Sequence, residues 1–485
     1  MRWWAWAIGL LVSWRVFFSP PIFHDESWFL QVVTRTAQGE ALYREVFYNT
    51  TPLAVWVAWP FHALGAGRLL GLRLLLALAF GVTLWFTVRI SRQLAAGPVH
   101  LWIVATVVIG LQHFSYYTPI SVTFLMACFS FALSYWDGRR EATRWLALAA
   151  VAAACAFLTK YNVGTAALAA LLLAVVLNPA EPAKGRAAAA AVSVFASTTG
   201  LMLLPLAASW SAFIDYVFLN KTAYLSSGLG QFRPAWEVRS VLVGLDPWRA
   251  IPEVMFHSPL LLLLAPLALV LVWLAGRRAR EERSKSIVVA GFVAAGASIL
   301  FPQLALPHLI GAAPILLAGL QFAGSRIPIG RPLVVLACAW LAGAFMWTCL
   351  RPIPQLIRGQ WVLMAEHPYS GMWINRDHYL AFRNTVDALR RSGASPFLLT
   401  YDAGSLYLAT GLRNPTPFDV PAGTAMGRHG EQQVIAAVEA GRVRSVCLNT
   451  RWPGDNSPRR LIAYVKNHLR RGEPMGSCVI YWRDH

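Results

Sequence analysis

Charged residues are scarce in this sequence. Only 13% of its 485 residues are charged, about half of the ~25% that is usual in soluble proteins. Acidic residues are the scarcest, with 23 Asp and Glu against 42 Lys and Arg, while 57% of the chain is hydrophobic. This composition excludes a disordered chain, a coiled coil and a single soluble domain. It indicates a polytopic membrane protein whose main partner is the lipid bilayer.

Cysteines are few, and nothing in their spacing indicates a metal site. Four of the six lie in apolar runs, where we expect ordinary small core residues. The other two, Cys447 and Cys478, lie near the C-terminus and form a disulfide only if that segment faces an oxidising compartment. Most basic residues stand in short clusters between apolar runs and not along one soluble surface, so we expect no nucleic-acid partner.

Long apolar runs predict about eleven transmembrane helices, since a span needs ~20 residues. They lie at 3–20, 68–88, 98–115, 119–136, 144–160, 162–178, 187–209, 259–275, 286–302, 304–322 and 332–350. A further apolar segment, 52–66, is short and contains Pro60, which favours a helix on the membrane surface.

Basic clusters mark every second connection between these spans, as expected for cytoplasmic loops. The pattern predicts a cytoplasmic N-terminus and outside segments at 21–67, 116–118, 210–258 and the C-terminal tail. The clusters are Arg89/Arg92, Arg139/Arg140/Arg144, Lys184/Arg186, Arg277/Arg278/Arg280/Arg283/Lys285 and Arg326/Arg331.

The C-terminal tail has a different composition, because residues 366–485 hold 25 of the 65 charged side chains. We predict a soluble α/β domain there, joined by a linker at 351–365 to a membrane module at 1–350. Strands are expected at 396–402, 443–449 and 476–482, and helices at 376–392, 431–441 and 459–470. The tail has no glycine-rich phosphate loop and no nucleophile elbow, and we expect Asp402 and His429 to be solvated or capping residues.

The first outside loop holds the most informative residues. His24, Asp25 and Glu26 follow the first span and precede an amphipathic helix at about 26–38. Two adjacent carboxylates at headgroup level suit a base that takes a proton from an alcohol. The alternative is that Asp25 caps the helix, with Glu26 in its first turn. No cofactor is expected with certainty, and a divalent cation on this triplet stays open, although adjacent residues make poor ligand geometry.

Several short motifs, taken in order, resemble the GT-C glycosyltransferases, in the branch with the protein O-mannosyltransferases and the lipid A aminoarabinose transferase. The first loop matches through Asp25-Glu26, the turn from Gly39 to Tyr43, and Thr51-Pro52-Leu53 before a second surface helix. Later segments that resemble the family are GRLLGLRLLLALAFGVTLWFTVRISRQL (67–94), SYYTPISVTFLMACF (115–129), ACAFLTKYNVGTAAL (154–168) and LYLATGLRNPTPFD (406–419).

The resemblance implies a GT-C-like fold in a multi-pass protein of the bacterial cytoplasmic (inner) membrane, with a periplasmic or extracellular C-terminal domain. It implies transfer of a sugar from a polyprenyl-phosphate lipid to a glycan, lipid or protein acceptor. Asp25 is then the catalytic base, with Glu26 beside it. The candidates to bind the donor phosphate are Lys160, Lys221 and Arg233, and the candidates to line the substrate site are His24, Trp28, Tyr43, Tyr48, Asn49 and Tyr117.

Two departures from the family leave alternatives open. Some relatives place Lys or Arg just before the proline of the second surface helix, where this chain has Thr50-Thr51-Pro52, and some carry an acid where it has Tyr116-Tyr117. Lys160 has the alternative of a lysine that extends to the membrane interface, and 210–258 is either a lid or an exposed connection. A lipid or glycan transporter or flippase, or a catalytically silent scaffold, is the alternative function. Charges confined to loops and span ends, without an internal repeat, favour the transferase.

Overall fold

A computed structural model describes ten stretches of the chain and five isolated positions. The stretches are 13–94, 116–138, 141–220, 264–278, 282–300, 306–327, 353–392, 395–423, 426–449 and 457–483, and the isolated positions are 10, 332, 335, 336 and 339. The described residues form a helical body, up to residue 327, and a mixed α/β tail from residue 353 onward.

The body is built from eleven described helices, together with short 3₁₀ and π turns. The helices are α1 (Asp25–Ala37), α2 (Leu53–Leu64), α3 (Leu69–Gln93), α4 (Tyr117–Trp136), α5 (Ala142–Thr159), α6 (Tyr161–Leu177), α7 (Lys184–Leu203), α8 (Trp210–Ile214), α9 (Leu264–Arg278), α10 (Arg283–Ala297) and α11 (Leu306–Gly324). The amphipathic helix predicted in the first loop is α1, and the predicted surface helix is α2.

Among the described residues, five helical segments are long and apolar enough to cross a membrane. They are Leu69–Gln93, Tyr117–Trp136, Ala142–Thr159, Lys184–Leu219 and Arg283–Leu300, while the apolar segments of α2, α6, α9 and α11 are shorter. These helices fit a polytopic membrane protein. The count of eleven spans stays a prediction, because 98–115 and much of 3–20 and 332–350 lie outside the described residues.

Helix α3 shows how such a segment meets lipid. Leu70, Leu74 and Leu78 are exposed at intervals of four residues, whereas Leu72 and Leu76 are buried. An exposed apolar stripe matches hydrocarbon, which is as apolar as leucine itself.

Helix α2 has 12 residues, and at 1.5 Å per residue it is about 18 Å long. This length is too short for the ~30 Å hydrocarbon core.

Connections of the body meet in two groups at opposite helix ends. At one end Tyr116, just before α4, donates a hydrogen bond to Glu26 of the first loop. At the other end Lys285 pairs with Asp137 at 3.3 Å, and Arg326 pairs with Glu282. The first end gathers segments that the charge pattern assigns to the outside, and the second gathers segments that it assigns to the cytoplasm.

The tail begins with α12 (Ile353–Ile357) and an antiparallel pair of strands, β1 (Trp361–Leu363) and β2 (Trp373–Asn375). A sheet of four strands follows in the order β3-β4-β6-β5, in which only the β3–β4 pair is parallel. Its elements are α13 (Arg376–Ser392), β3 (Phe397–Leu399), α14 (Ala403–Thr410), α15 (Gly430–Glu439), β4 (Ser445–Leu448), α16 (Arg459–His468), β5 (Arg470–Met475) and β6 (Cys478–Trp482).

The three strands predicted in the tail contain β3, β4 and β6, and the three predicted helices match α13, α15 and α16. The sequence did not predict β5, nor the β1–β2 pair, whose first strand lies inside the expected linker. The pairing of Cys447 with Cys478, which the sequence left open, is present as a disulfide with a Cα–Cα distance of 5.6 Å.

One apolar core joins the tail to the first loop. Phe29 and Val33 of α1 belong to the same buried cluster as Leu406 of α14 and Ile480 of β6. Gly404 allows the close contact, since a Cβ at this position would lie 3.1 Å from the backbone nitrogen of Trp28. The tail therefore packs directly on the helix that carries the candidate base.

Candidate functional site

Helix α1 carries both sequence-predicted carboxylates in its first turn. The helix begins at Asp25, and His24 occupies the N-cap position without a side-chain capping bond. The alternative in which Asp25 is the N-cap is therefore wrong. The partial positive charge of a helix N-terminus favours carboxylates in its first turn. Because adjacent residues of a helix point in different directions, Asp25 and Glu26 reach different surroundings.

Glu26 is completely buried and fully occupied by partners. Arg73 of α3 contacts it through two nitrogens, at 3.0 Å from Nε to Oε1 and 2.7 Å from Nη2 to Oε2. Tyr116 donates its hydroxyl hydrogen to Oε1 at 3.0 Å, and the backbone N–H of Ile22 donates to Oε2 at 2.9 Å. Arg73 also donates to the carbonyl oxygen of Ser19 at 2.8 Å. We call Glu26, Arg73 and Tyr116 the paired cluster.

Asp25 lies in a more open position. Its side chain is 41% exposed, and Oδ2 lies 3.5 Å from Nε2 of His24. The His24 ring packs on Tyr401 of the tail, with 4.7 Å between ring centroids. A solvent-accessible carboxylate beside an imidazole is equipped to take a proton from a substrate. The triplet of His24, Asp25 and Glu26 is not assembled as a ligand set, because both oxygens of Glu26 face Arg73.

Aromatic side chains lead from the base toward the second half of the first loop. Trp28 and Phe29 follow Asp25 by three and four residues, which places them on the same helix face. Their rings lie 5.6 Å and 6.3 Å from the ring of Tyr48. Phe29 also stacks on Tyr116 at 4.8 Å. The face of α1 that carries Asp25 therefore continues to Tyr48.

The segment around Tyr48 is held by backbone contacts. Tyr43 is fully buried in a left-handed conformation, with φ of 69°, and its hydroxyl donates to the carbonyl oxygen of Thr50 at 2.7 Å. Thr51 donates to the carbonyl oxygen of Phe157 in the last turn of α5 at 2.7 Å. Tyr43 is thus a structural support of the loop, and Thr51 anchors the loop to the helix before Lys160.

Three polar atoms of this segment, Tyr48 Oη, Asn49 Oδ1 and Thr50 Oγ1, are buried and make no hydrogen bond of good geometry among the described residues. The same holds for Thr118 Oγ1, which follows Tyr117 near the start of α4. We call these residues the unpaired cluster. Burial raises the pKa of Tyr48 far above its usual range, and the nearby Thr50 hydroxyl opposes that rise, so the Tyr48 hydroxyl keeps its proton. Buried polar groups in native proteins nearly always have partners, so this cluster calls for an explanation.

Lys160 lies in the break between α5 and α6 and is 5% exposed. Its Nζ donates to the carbonyl oxygen of Ile299 at 2.7 Å and lies 6.0 Å from the centre of the Tyr117 ring. The alternative of a lysine that extends to the interface is therefore wrong. The bond from Thr51 to Phe157 brings the loop to the helix turn before Lys160, so Lys160 and the Tyr48 segment lie at the same helix end.

Gly164 makes the break at Lys160 sterically possible. A Cβ at Gly164 would lie 2.0 Å from the backbone nitrogen of Phe157, so only glycine lets the first turn of α6 approach the last turn of α5. Lys160 itself has the extended conformation, with φ of −151° and ψ of 101°. The sequence K-Y-N-V-G thus sets the position of the lysine.

A second ion pair fixes the other end of α1 to the tail. Arg35 donates from Nη1 to both oxygens of Asp419, at 3.0 Å and 3.1 Å, and its Nε donates to Glu40 at 2.8 Å. Asn414 donates to Asp419 Oδ1 at 2.8 Å. Burial raises the pKa of Asp419, and the neighbouring Arg35 opposes that rise. The tail segment that resembles the family therefore holds α1 in place.

The structure brings His24, Asp25, Trp28, Tyr48, Asn49, Tyr117 and Lys160 to one end of the helical body, together with the paired Glu26. Lys221 and Arg233 lie outside the described residues.

Sequence reasoning missed Arg73, although an arginine inside an apolar helix is a signal of a buried partner. It also missed Thr118, which nothing in the sequence distinguishes from other threonines. Over the described ranges, no group of three His, Cys, Asp or Glu residues is arranged to hold a metal ion.

Comparison with known proteins identifies the fold. A crystal structure of ArnT from Cupriavidus metallidurans bound to undecaprenyl phosphate matches with a TM-score of 0.55 and 15% identity, over 99% of this chain and 97% of that one. The apo structure of the same transferase matches with a TM-score of 0.52 and 14% identity, over 98% and 96%. No family model and no curated protein matches the sequence.

The chain thus has the GT-C fold of ArnT, the lipid A aminoarabinose transferase, over nearly its whole length. The resemblance that the sequence indicated is confirmed at the level of the fold. An identity of 15% leaves the chemistry of this chain to be argued from its own residues.

Proposed function

We propose that this chain is an integral membrane glycosyltransferase that moves a sugar from a polyprenyl-phosphate donor to an acceptor hydroxyl outside the cytoplasmic membrane. The observation that carries the proposal is the position of Asp25. Its partly exposed carboxylate begins the helix face that leads through Trp28 to the unpaired cluster and Lys160. A base and a set of phosphate-binding groups on one connected surface suit a transfer from a lipid phosphate.

In the proposed reaction Asp25 takes the proton of the acceptor hydroxyl. The acceptor oxygen then forms a bond to the anomeric carbon of the sugar, while the bond from that carbon to the phosphate oxygen breaks and its electron pair leaves with the lipid phosphate. The leaving phosphate needs hydrogen-bond donors and a positive charge but no strong acid. Glu26 supports the base indirectly, since its pair with Arg73 fixes the first turn of α1.

The donor phosphate is proposed to bind at the unpaired cluster. The hydroxyls of Tyr48, Thr50 and Thr118 supply donors that lack acceptors in the described part of the chain, and Lys160 supplies a positive charge beside Tyr117. Phosphate oxygens are strong acceptors, so binding would satisfy groups that the empty protein leaves unsatisfied. Asn49 and Tyr117 are partly exposed, which gives the cluster an edge toward solvent. Lys221 and Arg233 remain further proposed ligands.

The proposed orientation places the N-terminus in the cytoplasm and the tail outside. The basic clusters support it, and so does the meeting of the first loop, Tyr116 and the tail at one helix end. The disulfide between Cys447 and Cys478 also supports it, because disulfides persist in oxidising compartments and are rare in the cytosol. We propose a membrane module at 1–350 and a soluble tail at 366–485, as the sequence predicts. Strand β1 lies in the predicted linker at 351–365 but belongs to the folded tail.

The experiment compares purified wild type with Asp25→Asn in lipid nanodiscs, using a panel of polyprenyl-phosphate sugars with candidate acceptors. Release of lipid phosphate measures transfer. Because general base catalysis contributes about 10²- to 10⁴-fold, we expect Asp25→Asn to lower the rate by that factor. Asp137→Asn, which makes the same change at the opposite helix end, should keep the wild-type rate. Equal rates for Asp25→Asn and wild type would remove Asp25 from the mechanism. Lipid movement across the membrane without phosphate release would favour a flippase.

A further inference from the structure

The exposed apolar side chains of the tail are gathered near its start. Over the described residues of the tail, the exposed large hydrophobic side chains are Ile353 and Ile357 of α12, Leu363 of β1 and Leu380 of α13. Ile357 is 80% exposed, and α12 buries none of its five residues. Apolar side chains that a folded domain leaves uncovered in one region mark a surface for a partner or a membrane.

The pair of strands β1 and β2 has one face of the same character. Leu363 lies opposite Trp373 in the antiparallel register, and Trp361 lies two residues before Leu363. Because opposite residues share a face and side chains alternate along a strand, Trp361, Leu363 and Trp373 lie on one side, which we call the hairpin face. Ile374 lies on the other side and is buried in the core. Trp361 Nε1 donates to Gln355 Oε1 at 3.0 Å, which joins the hairpin face to α12.

Three observations place this part of the tail at the level where membrane helices end. The ring of Trp373 lies 6.1 Å from the ring of Trp14, which belongs to the first predicted span. The backbone N–H of Leu69, the first residue of α3, donates to the carbonyl oxygen of Pro368 between β1 and β2 at 3.1 Å. Helix α12 begins three residues after the predicted span at 332–350, a stretch of chain that reaches at most about 10 Å.

The connection between β1 and β2 also reaches the first loop. Met372 Sδ accepts a hydrogen bond from Arg73 Nη1 at 3.2 Å, and the Tyr369 hydroxyl donates to Ser27 Oγ at 2.7 Å. Both Met372 and Tyr369 are completely buried. The structural unit that carries the hairpin face therefore also packs on α1, so a partner of the hairpin face helps to hold the tail on that helix.

We propose that the hairpin face and α12 rest in the surface of the bilayer on the side of the tail, so that lipid holds the tail in place together with its packing on α1. Tryptophan is favoured at the boundary between membrane and water, and exposed Ile and Leu side chains can insert between headgroups and acyl chains. Residues 351–365 include Arg351 and Arg358 and no acidic residue, which suits anionic headgroups. The inference is independent of the reaction proposed above.

The first test is hydroxyl-radical footprinting of the wild-type protein in lipid nanodiscs, which compares residues of the same type. Ile435 and Leu412 of the tail are half-buried, whereas Ile357 and Leu363 are exposed. Protein packing alone would make Ile357 and Leu363 the faster-oxidised residues. Lipid cover should reverse this order, so we expect severalfold slower oxidation of Ile357 than of Ile435, and of Leu363 than of Leu412. Equal or faster oxidation of Ile357 and Leu363 would overturn the inference.

The second test identifies what covers α12. A photoreactive noncanonical residue in place of Ile357 should cross-link to phospholipid when the full chain is irradiated in nanodiscs. The matched control has the same residue in place of Arg471, which is exposed on β5 at the edge of the four-stranded sheet and should give severalfold less lipid adduct. Equal lipid adducts at the two positions, or cross-links from position 357 to a second copy of the chain in place of lipid, would contradict the proposal.

Discussion

The paired and unpaired clusters lie on either side of Phe29, whose ring contacts Tyr116 at 4.8 Å and Tyr48 at 6.3 Å. In the paired cluster both oxygens of Glu26 accept hydrogen bonds, and Arg73 donates to Glu26 and to the first loop. In the unpaired cluster four buried polar atoms have no partner. Both clusters contain a buried tyrosine hydroxyl, and the paired cluster also contains a basic side chain, Arg73.

Under the proposed function, the difference separates a structural role for the paired cluster from a binding role for the unpaired cluster. A buried polar atom without a partner destabilises the folded protein by about 1–3 kcal/mol, and no hydrogen bond compensates for that loss. Arg73 ties α3 to the first loop and to Met372 of the tail, so the paired cluster assembles the site. The groups of the unpaired cluster have no such protein partners among the described residues, and the proposed donor phosphate would supply acceptors for their hydroxyls.

The largest effect is expected from breaking the paired cluster. Arg73→Met leaves Glu26 as a buried charge without a counter-ion, and such a change costs about 3–5 kcal/mol. We expect a much lower melting temperature in detergent and loss of a monodisperse peak in size-exclusion chromatography. Adding Glu26→Gln to Arg73→Met removes the buried charge and should recover a large part of the loss. Wild-type stability of Arg73→Met alone would contradict a structural role for the pair.

Removing one tyrosine hydroxyl from each cluster should change the free energy of unfolding by a smaller amount. The change should differ in sign between the two clusters. Tyr116→Phe deletes a bond to a carboxylate and should destabilise the protein by about 1.5–3 kcal/mol. Tyr48→Phe deletes a hydroxyl that makes no hydrogen bond of good geometry among the described residues, so the protein measured without lipid donor should keep its stability or gain up to about 1 kcal/mol. Only Tyr48→Phe should weaken donor binding directly. Equal destabilisation by both variants, measured by thermal unfolding without lipid, would remove the distinction between the clusters.

Much of the fold follows from local patterns. Apolar length predicts the long helices α3, α4 and α5, because the bilayer requires such segments, and the alternation of apolar and polar residues predicts α1. Three strands of the tail follow from short β-branched and aromatic runs. Strand β5 escapes prediction, since its sequence RRGEPM contains glycine and proline and has no apolar alternation.

The site is less predictable than the fold, because its contacts join distant parts of the chain. The role of Asp25 as a base stays a prediction, which rests on its place after the first span and on the family resemblance. The different surroundings of Asp25 and Glu26 could not be predicted, since Arg73, the partner of Glu26, lies 47 residues away. Thr118 has no sequence signal of its own, because its burial follows from the packing of α4 within the helical body.

The central claim is that the unpaired cluster and Lys160 bind the phosphate of a lipid donor. Its most direct test is the binding of undecaprenyl phosphate to wild type, Lys160→Met and the control Lys285→Met, measured by thermal shift across lipid concentrations. Lys285 pairs with Asp137 at the opposite helix end. We predict that wild type and Lys285→Met are stabilised by the lipid alike, as mass action requires, and that Lys160→Met binds at least about tenfold more weakly, as expected after loss of a charge-assisted contact. Equal affinity of Lys160→Met and wild type would contradict the account.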